Sequence, residues 1–154
     1  MPGRSPGEGW FELAEQIAET LDFGPGTRVF EVDCGDGAFL YPFHINGYIV
    51  GGTDGDPAAI EAALAAMPEG FFTVAAASGL DPAVPWDVVV CRSLSGWPDQ
   101  DYMCGLLARM FAKATHAIAL LNVPEARHQW VMHALAEVGA RAVQIEAENV
   151  FARV

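Results

Sequence analysis

The chain has 154 residues, the size of one domain with a substantial hydrophobic core. Its formal net charge is −12, from 8 Lys and Arg against 20 Asp and Glu, so it has few basic residues to neutralise nucleic-acid phosphates or anionic lipids. Hydrophobic residues make up 52%, yet no apolar run approaches the roughly 18 residues needed to cross a bilayer. We therefore expect a single domain over 1–154 whose partner is a small molecule rather than a nucleic acid or a membrane.

The cysteines and the N-terminal segment indicate the cellular setting. The 3 cysteines are widely spaced and form no CxxC pair, which predicts neither a disulfide framework nor a metal site. Residues 1–9 are rich in Gly, Pro and Ser and are expected to be disordered. They lack the apolar core of a signal peptide, so we expect a cytoplasmic protein. A composition rich in Ala, Gly and Pro favours a bacterial source, and the apolar excess is compatible with a homodimer.

Apolar spacing and turn residues predict alternating helices and strands. The first element is an amphipathic helix over 10–22, ended by Gly-Pro-Gly at 24–26. Asp56 is the expected N-cap of an Ala-rich helix that begins at Pro57 and ends near Met67. Strands are predicted over 28–33, 48–53, 71–75, 86–91 and 116–121, and the other helices over 38–46, 100–113 and 125–138.

Two further β runs, 141–147 and 149–154, are joined by a tight connection and predict an antiparallel hairpin. Strands separated by helices imply right-handed βαβ units. The sequence therefore predicts an α/β fold, with a mainly parallel seven-stranded sheet, helices on both faces and a C-terminal antiparallel hairpin.

A glycine turn follows the first strand, and an acid follows the second. The turn is Cys34-Gly35-Asp36-Gly37, where glycines let the backbone approach a ligand closely. Asp54 ends the second strand, and a carboxylate there can accept hydrogen bonds from two ribose hydroxyls. In open α/β sheets ligands bind at the carboxyl ends of the strands. The pattern indicates an adenosine-containing cofactor.

Leu40, shortly after this turn, disfavours a nicotinamide dinucleotide as the cofactor. The dinucleotide pattern G-x-G-x-x-G requires a third glycine, and the corresponding position here is Leu40. A nicotinamide oxidoreductase is therefore the weakest functional hypothesis for this sequence.

Four segments together resemble the class I S-adenosylmethionine-dependent methyltransferases. VFEVDCGDGAFL is similar to the family's first motif, and GGTDGDPAAIEAA to its second strand, acid and helix. WDVVVCRSLSGW and LARMFAKATHAIALLNVP are similar to the fourth strand with its loop and to the helix and fifth strand. The resemblance covers roughly residues 28–123 and implies a Rossmann-like methyltransferase fold with S-adenosylmethionine as cofactor.

The resemblance implies roles for individual residues. Glu31 fixes the glycine turn and the amino end of the cofactor, and Asp54 binds the ribose. Backbone groups of Cys34, Gly35 and Gly37 contact the methionine portion. The remaining expected cofactor contacts are Asp33 near the sulfonium, Gly55, Ala77 and Ser78 around the adenine, and Cys91 and Arg92 near the methionine amino group.

Two residues are candidates on the acceptor side. His128 follows the loop after the fifth strand and is the best candidate for a general base, although a packing role is the simpler interpretation. Trp97 leaves the fourth strand on the ligand side, where it could form an aromatic wall or pack under the next helix.

Three departures from the family pattern favour a second hypothesis. Asp33 occupies the position of the first motif glycine, Gly55 replaces a larger apolar residue, and Ala76 replaces the acid that meets the adenine amino group. The leading hypothesis is a methyltransferase that acts on a small molecule. The alternative is a non-catalytic binding or regulatory protein that has kept the fold.

Overall fold

The computed structural model describes residues 9–93, 96 and 99–154. Of the segment 1–9, which is expected to be disordered, all residues except Gly9 lie outside these ranges. The helices are α1 (Trp10–Leu21), α2 (Tyr41–Ile45), α3 (Pro57–Ala66), α4 (Gln100–Lys113) and α5 (Glu125–Glu137). The strands are β1 (Arg28–Val32), β2 (Ile49–Asp54), β3 (Phe71–Val74), β4 (Trp86–Cys91), β5 (Ala114–Leu120), β6 (Ala142–Glu146) and β7 (Asn149–Arg153). None of the described helices has the length and hydrophobicity that crossing a bilayer requires.

The strands form one seven-stranded sheet in the order β3-β2-β1-β4-β5-β7-β6. Strands β1 to β5 pair in parallel, whereas β7 pairs antiparallel with both β5 and β6. The predicted α/β architecture and the C-terminal antiparallel hairpin are confirmed. The hairpin extends the sheet beyond β5, with β7 inside the sheet and β6 at its edge.

Helices cover both faces of the sheet, as predicted. Buried residues of α1, α2 and α3, including Ile17, Phe43 and Ala63, form the core on one face. Buried residues of α4 and α5, including Leu107 and Leu135, form the core on the other. The central strand β4 is almost wholly buried, which explains its continuous apolar sequence.

The strand order reverses between β1 and β4. The chain leaves β1 toward α2 on one face and leaves β4 toward α4 on the other face. Connections that diverge in this way open a crevice outside the carboxyl ends of the two strands, which is where α/β proteins bind ligands. The fold thus places the loops after Val32 and Cys91 side by side at this crevice.

Helix α2 is shorter than the sequence predicted. It begins at Tyr41 rather than at residue 38, because Gly37 has a φ of 79° and residues 38–40 form turns before Pro42 enters the first turn of the helix. Strand β5 begins at Ala114, directly after α4. The Asp56 cap is confirmed, since its side chain accepts a hydrogen bond from the Ala58 amide at 3.0 Å.

The connection from β3 to β4 contains a 3-10 helix, Ala77–Gly79, in place of an α-helix. The Trp86 ring instead covers this part of the sheet, packing against Phe30 and Phe71. Lys113 is buried and its Nζ donates hydrogen bonds to the carbonyls of Asp81 and Val84, at 2.8 and 2.7 Å. A buried aromatic ring and a buried lysine therefore hold a connection that has little regular structure.

The Trp86 packing requires glycine at position 51. A Cβ added to Gly51 would lie 2.6 Å from the Trp86 ring and 2.8 Å from the Phe71 carbonyl oxygen. That carbonyl belongs to the strand paired with β2, so it cannot move without disturbing the sheet. We expect Gly51→Ala to lower the free energy of unfolding by about 1–3 kcal/mol, measured by urea titration.

Gly24→Ala is the matched control, because a Cβ at Gly24 meets no atom within 4 Å. Its effect should stay within about 0.5 kcal/mol. Equal effects of the two substitutions would contradict the packing explanation.

Candidate functional site

The residues singled out from the sequence gather at one edge of the sheet. Glu31, Asp33, Cys34, Gly35 and Gly37 lie at the end of β1 or in the turn after it. The other expected contacts lie at or just beyond the carboxyl ends of β2, β3 and β4: Asp54 and Gly55, Ala77 and Ser78, and Cys91 and Arg92. Parallel pairing brings these strand ends together, so separate segments of sequence form one cluster at the crevice.

A buried carboxyl group and a guanidinium pair across the crevice. Glu31 is fully buried, and its Oε2 accepts a hydrogen bond from the Arg92 Nε at 2.5 Å. Glu31 lies in β1, one residue before its end, and Arg92 directly follows β4, so the pair links the two strands at which the strand order reverses. A charge-assisted bond of this kind fixes the start of the loop after β4 against β1.

Two aromatic rings pack against the same guanidinium. The Arg92 Cζ lies 5.2 Å from the centroid of Trp10 and 5.1 Å from that of Phe39, distances typical of cation–π contacts. Trp10 is the first residue of α1 and Phe39 lies in the turn before α2. The N-terminal helix is thereby attached to the site through Arg92.

Burial has a strong effect on Glu31. Desolvation raises the pKa of this carboxyl group to about 8. The positive charge of Arg92 and its hydrogen bond lower the pKa, but they do so by less than burial raises it. The second oxygen, Oε1, is buried and has no hydrogen-bond partner. An unpaired buried carboxyl oxygen is costly, and it can accept one further hydrogen bond.

A second link crosses the same crevice. The Ser93 Oγ donates a hydrogen bond to Asp33 Oδ2 at 2.9 Å. Asp33 has a φ of 55°, in the left-handed region that aspartate tolerates better than most residues. The Asp33 carboxylate is therefore held beside the loop that follows β4.

The glycine turn is held by Asp54 rather than by Glu31. Asp54 Oδ2 accepts a hydrogen bond from the Gly35 amide, and Oδ1 accepts one from the Asp56 amide, both at 2.9 Å. The role expected for Glu31 in fixing this turn is thus taken by the acid at the end of β2. A carboxylate has about four lone-pair sites, so Asp54 can accept further hydrogen bonds.

The two glycines of the turn have different surroundings. Gly35 has a φ of 57°, and a Cβ added there would meet no atom within 4 Å. A Cβ at Gly37 would lie 2.5 Å from the end of the Met67 side chain and 3.3 Å from the Ala63 Cβ. Gly35 leaves space beside the backbone for a ligand, whereas Gly37 lets α3 pack closely.

The remaining expected contacts lie at the same edge of the sheet. Ala77 is buried and Ser78 is exposed in the 3-10 helix after β3, and Gly55 is exposed after β2. Cys34 and Cys91 are buried, and burial raises the pKa of each thiol to about 12. Both thiols are therefore protonated at neutral pH and poor nucleophiles.

The two candidates on the acceptor side, His128 and Trp97, have less structural support than the residues at the crevice. His128 lies in the first turn of α5, at the same edge of the sheet, and its Nε2 is 2.7 Å from the Val123 carbonyl oxygen. In this contact the ring N–H donates to the carbonyl, which leaves Nδ1 as the nitrogen that can accept a proton. Trp97 lies outside the described residues.

Sequence reasoning missed Trp10, Phe39 and Ser93. The sequence places Trp10 and Phe39 in predicted helices and Ser93 in the loop after the fourth strand. The opposite charges of Glu31 and Arg92 at the ends of predicted strands were a usable signal for one pair. Nothing in the local sequence indicates that Trp10 packs on Arg92, since 82 positions separate them in the chain.

Solved structures with the same architecture decide the fold family. The magnesium protoporphyrin IX methyltransferase of Synechocystis PCC 6803, with bound S-adenosylmethionine, is similar with a TM-score of 0.79 and 16% identity, covering 94% of this chain and 79% of that one. The chain has the methyltransferase fold.

Two further solved structures with this methyltransferase fold are also similar to the chain. A TehB-like S-adenosylmethionine-dependent methyltransferase from Corynebacterium glutamicum has a TM-score of 0.73 and 18% identity, with 94% and 85% of the two chains covered. The glycopeptide N-methyltransferase MtfA, complexed with sinefungin, has a TM-score of 0.74 and 14% identity, with 94% and 92% covered. No protein-family model and no curated protein sequence matches the chain.

The raised pKa of Glu31 makes the stability of the protein depend on pH. Between the ordinary pKa of 4.5 and about 8, the folded protein binds more protons at this site than the unfolded chain does. Stability from this group is therefore present at low pH and lost as pH rises through that window. As pH rises, we expect the unfolding free energy of wild type to fall, relative to that of Glu31→Gln, by up to about 1.4 kcal/mol for each pH unit.

Urea unfolding of both proteins at pH 5, 6, 7 and 8 measures this difference. Glutamine keeps the shape and the acceptor oxygen but cannot ionise. A wild-type stability that stays parallel to that of Glu31→Gln over the whole range would contradict a raised pKa.

Proposed function

We propose that the protein is an S-adenosylmethionine-dependent methyltransferase that acts on a small-molecule acceptor. The observation that carries the proposal is the group of hydrogen-bonding sites at the crevice. These are the unpaired Glu31 Oε1, the open space beside Gly35 and the carboxylate of Asp54 on a fold shared with methyltransferases.

The residues present fit this cofactor. Asp54 can accept hydrogen bonds from the ribose hydroxyls while keeping its bonds to the Gly35 and Asp56 amides. The methionine ammonium can donate to Glu31 Oε1, which supplies the partner that this buried oxygen lacks. In this proposal Ala77 and Ser78 border the adenine, and Arg92, which is bonded to Glu31, lies near the methionine amino group.

When bound, S-adenosylmethionine supplies a methyl group on a sulfonium with a good leaving group. The protein then has mainly to hold the acceptor in line with that methyl, and such positioning can contribute roughly 7–11 kcal/mol. A general base is needed only where the acceptor is protonated, a role for which His128 stays a candidate. The protonated thiols of Cys34 and Cys91 are compatible with this chemistry, because the acceptor itself is the nucleophile.

Charge and loop length favour a small acceptor. The net charge of −12 opposes approach of a nucleic acid. The connection from β5 to α5 is only residues 121–124, and that from β4 to α4 is only residues 92–99. Short connections at the crevice leave little surface on which to bind a macromolecule.

A non-catalytic binding protein is the second candidate, and Asp33 is the observation that favours it. Its side chain hydrogen-bonds Ser93 and occupies part of the crevice. A protein of this kind would bind the cofactor, or a related nucleoside, without transferring a methyl group. Methyl transfer therefore separates the two candidates, whereas binding alone does not.

Isothermal titration with S-adenosylmethionine and S-adenosylhomocysteine tests the cofactor proposal. We expect micromolar binding by wild type and at least about a tenfold loss in Asp54→Ala, which removes the acceptor for the ribose. Asp87→Ala is the matched control, because Asp87 also accepts a backbone hydrogen bond, from the Arg28 amide at 2.8 Å, but lies at the opposite edge of the sheet.

Both variants should lose stability, and only Asp54→Ala should lose binding. Failure of folded wild-type protein to bind either ligand at millimolar concentration would reject the proposal. Transfer of a labelled methyl group to a panel of small amines, phenols and acids then tests the acceptor class, with a peptide and an RNA in parallel. Label found only in the peptide or the RNA would reject a small-molecule acceptor.

A further inference from the structure

We infer that the carboxylate of Asp33 makes this pocket select the positively charged sulfonium cofactor over its neutral thioether product. The inference rests on the proposed function and adds a specificity-determining residue to it. Most of the pocket can bind the adenosine and methionine parts that both ligands share. The two ligands differ at the sulfur, where methyl transfer removes the methyl group and with it the positive charge, so a carboxylate near the sulfur distinguishes them.

The position of Asp33 supports this role. It directly follows β1, whose last residue, Val32, pairs with Cys91 at the end of β4. Its carboxylate is hydrogen-bonded to Ser93 from the loop after β4. The carboxylate is thus fixed between the two loops that form the crevice, where the topology places a ligand.

The charge of Asp33 is not neutralised within the described part of the chain. There, no Lys, Arg or His lies within the 4.0 Å ion-pair distance of its carboxylate. The nearby guanidinium of Arg92 is bonded to Glu31 instead. The carboxylate is also only partly buried, whereas Glu31 is fully buried.

The backbone at Asp33 shows that its side chain is kept at a cost. A φ of 55° is less favourable for a residue with a Cβ than for glycine. Glycine would relieve this strain. Retention of a charged side chain at such a position is consistent with a role for the charge.

Coulomb attraction sets the expected size of the effect. A unit negative charge about 5 Å from a cation, in a partly exposed crevice of intermediate dielectric, changes affinity by about tenfold. The same carboxylate leaves the neutral sulfur of S-adenosylhomocysteine nearly unaffected. The ratio of the two dissociation constants therefore reports the Asp33 charge and cancels effects on the shared parts of the ligands.

Asp33→Asn is the informative variant, because asparagine keeps the shape, tolerates a left-handed φ and can still accept the Ser93 hydrogen bond. Titration with S-adenosylmethionine, sinefungin and S-adenosylhomocysteine gives the ratios; sinefungin carries a protonated amine in place of the sulfonium methyl. We expect Asp33→Asn to lose about tenfold for the two charged ligands and less than about twofold for the neutral one.

Asp22→Asn is the control. Asp22 also has a left-handed φ, 57°, but follows α1 where Leu21 meets His116 near the start of β5, away from the crevice. It should leave all three affinities unchanged. Asp33→Gly provides a second variant that removes the charge and relieves the backbone, so the test does not depend on the folding of Asp33→Asn.

The outcomes separate this inference from the proposed function. A wild-type preference for the charged ligands that falls in both Asp33 variants supports the inference. Binding of all three ligands by wild type with ratios that neither Asp33 variant changes overturns the inference and leaves the proposed function standing. Failure of wild type to bind any of them overturns the proposed function and the inference with it.

Discussion

Glu31 places a carboxyl group inside the central part of a hydrophobic sheet, and such a group has to be hydrogen-bonded, neutral or both. Arg92 supplies one partner from the neighbouring strand, and Trp10 and Phe39 pack on its guanidinium. This single buried pair therefore connects β1, β4, α1 and the turn before α2. The remaining oxygen, Oε1, has no partner. The pair lies where the strand order reverses, beside the crevice that the fold opens outside the strand ends.

Asp54 performs a second connecting role from the other side of the crevice. Its carboxylate holds the glycine turn through the Gly35 amide and the start of the next helix through the Asp56 amide. Substitutions at Asp54 consequently affect the shape of the turn as well as any contact to a ribose. This is why a control carboxylate that also accepts a backbone hydrogen bond, Asp87, is needed to separate binding from stability.

The two acidic groups within and after β1, Glu31 and Asp33, have different surroundings. Glu31 is fully buried, and its pKa is raised, so it titrates near neutral pH. Asp33 is partly exposed and bonded to a serine, with no cation against it among the described residues. Glu31 thus serves the architecture of the site, and we propose that Asp33 makes the pocket favour a cationic cofactor.

The sequence by itself determined the order and type of the elements, because periodic apolar residues, caps and glycine turns act over a few neighbouring residues. It also placed Asp54 and the glycine turn at strand ends, and parallel strands necessarily bring such ends together. Only the tertiary structure decided the pairings of Glu31 with Arg92, Asp33 with Ser93 and Trp10 with Arg92. It also decided that Trp86 covers Gly51. These contacts join residues on different elements, and their geometry depends on strand register and helix packing, which local patterns do not encode.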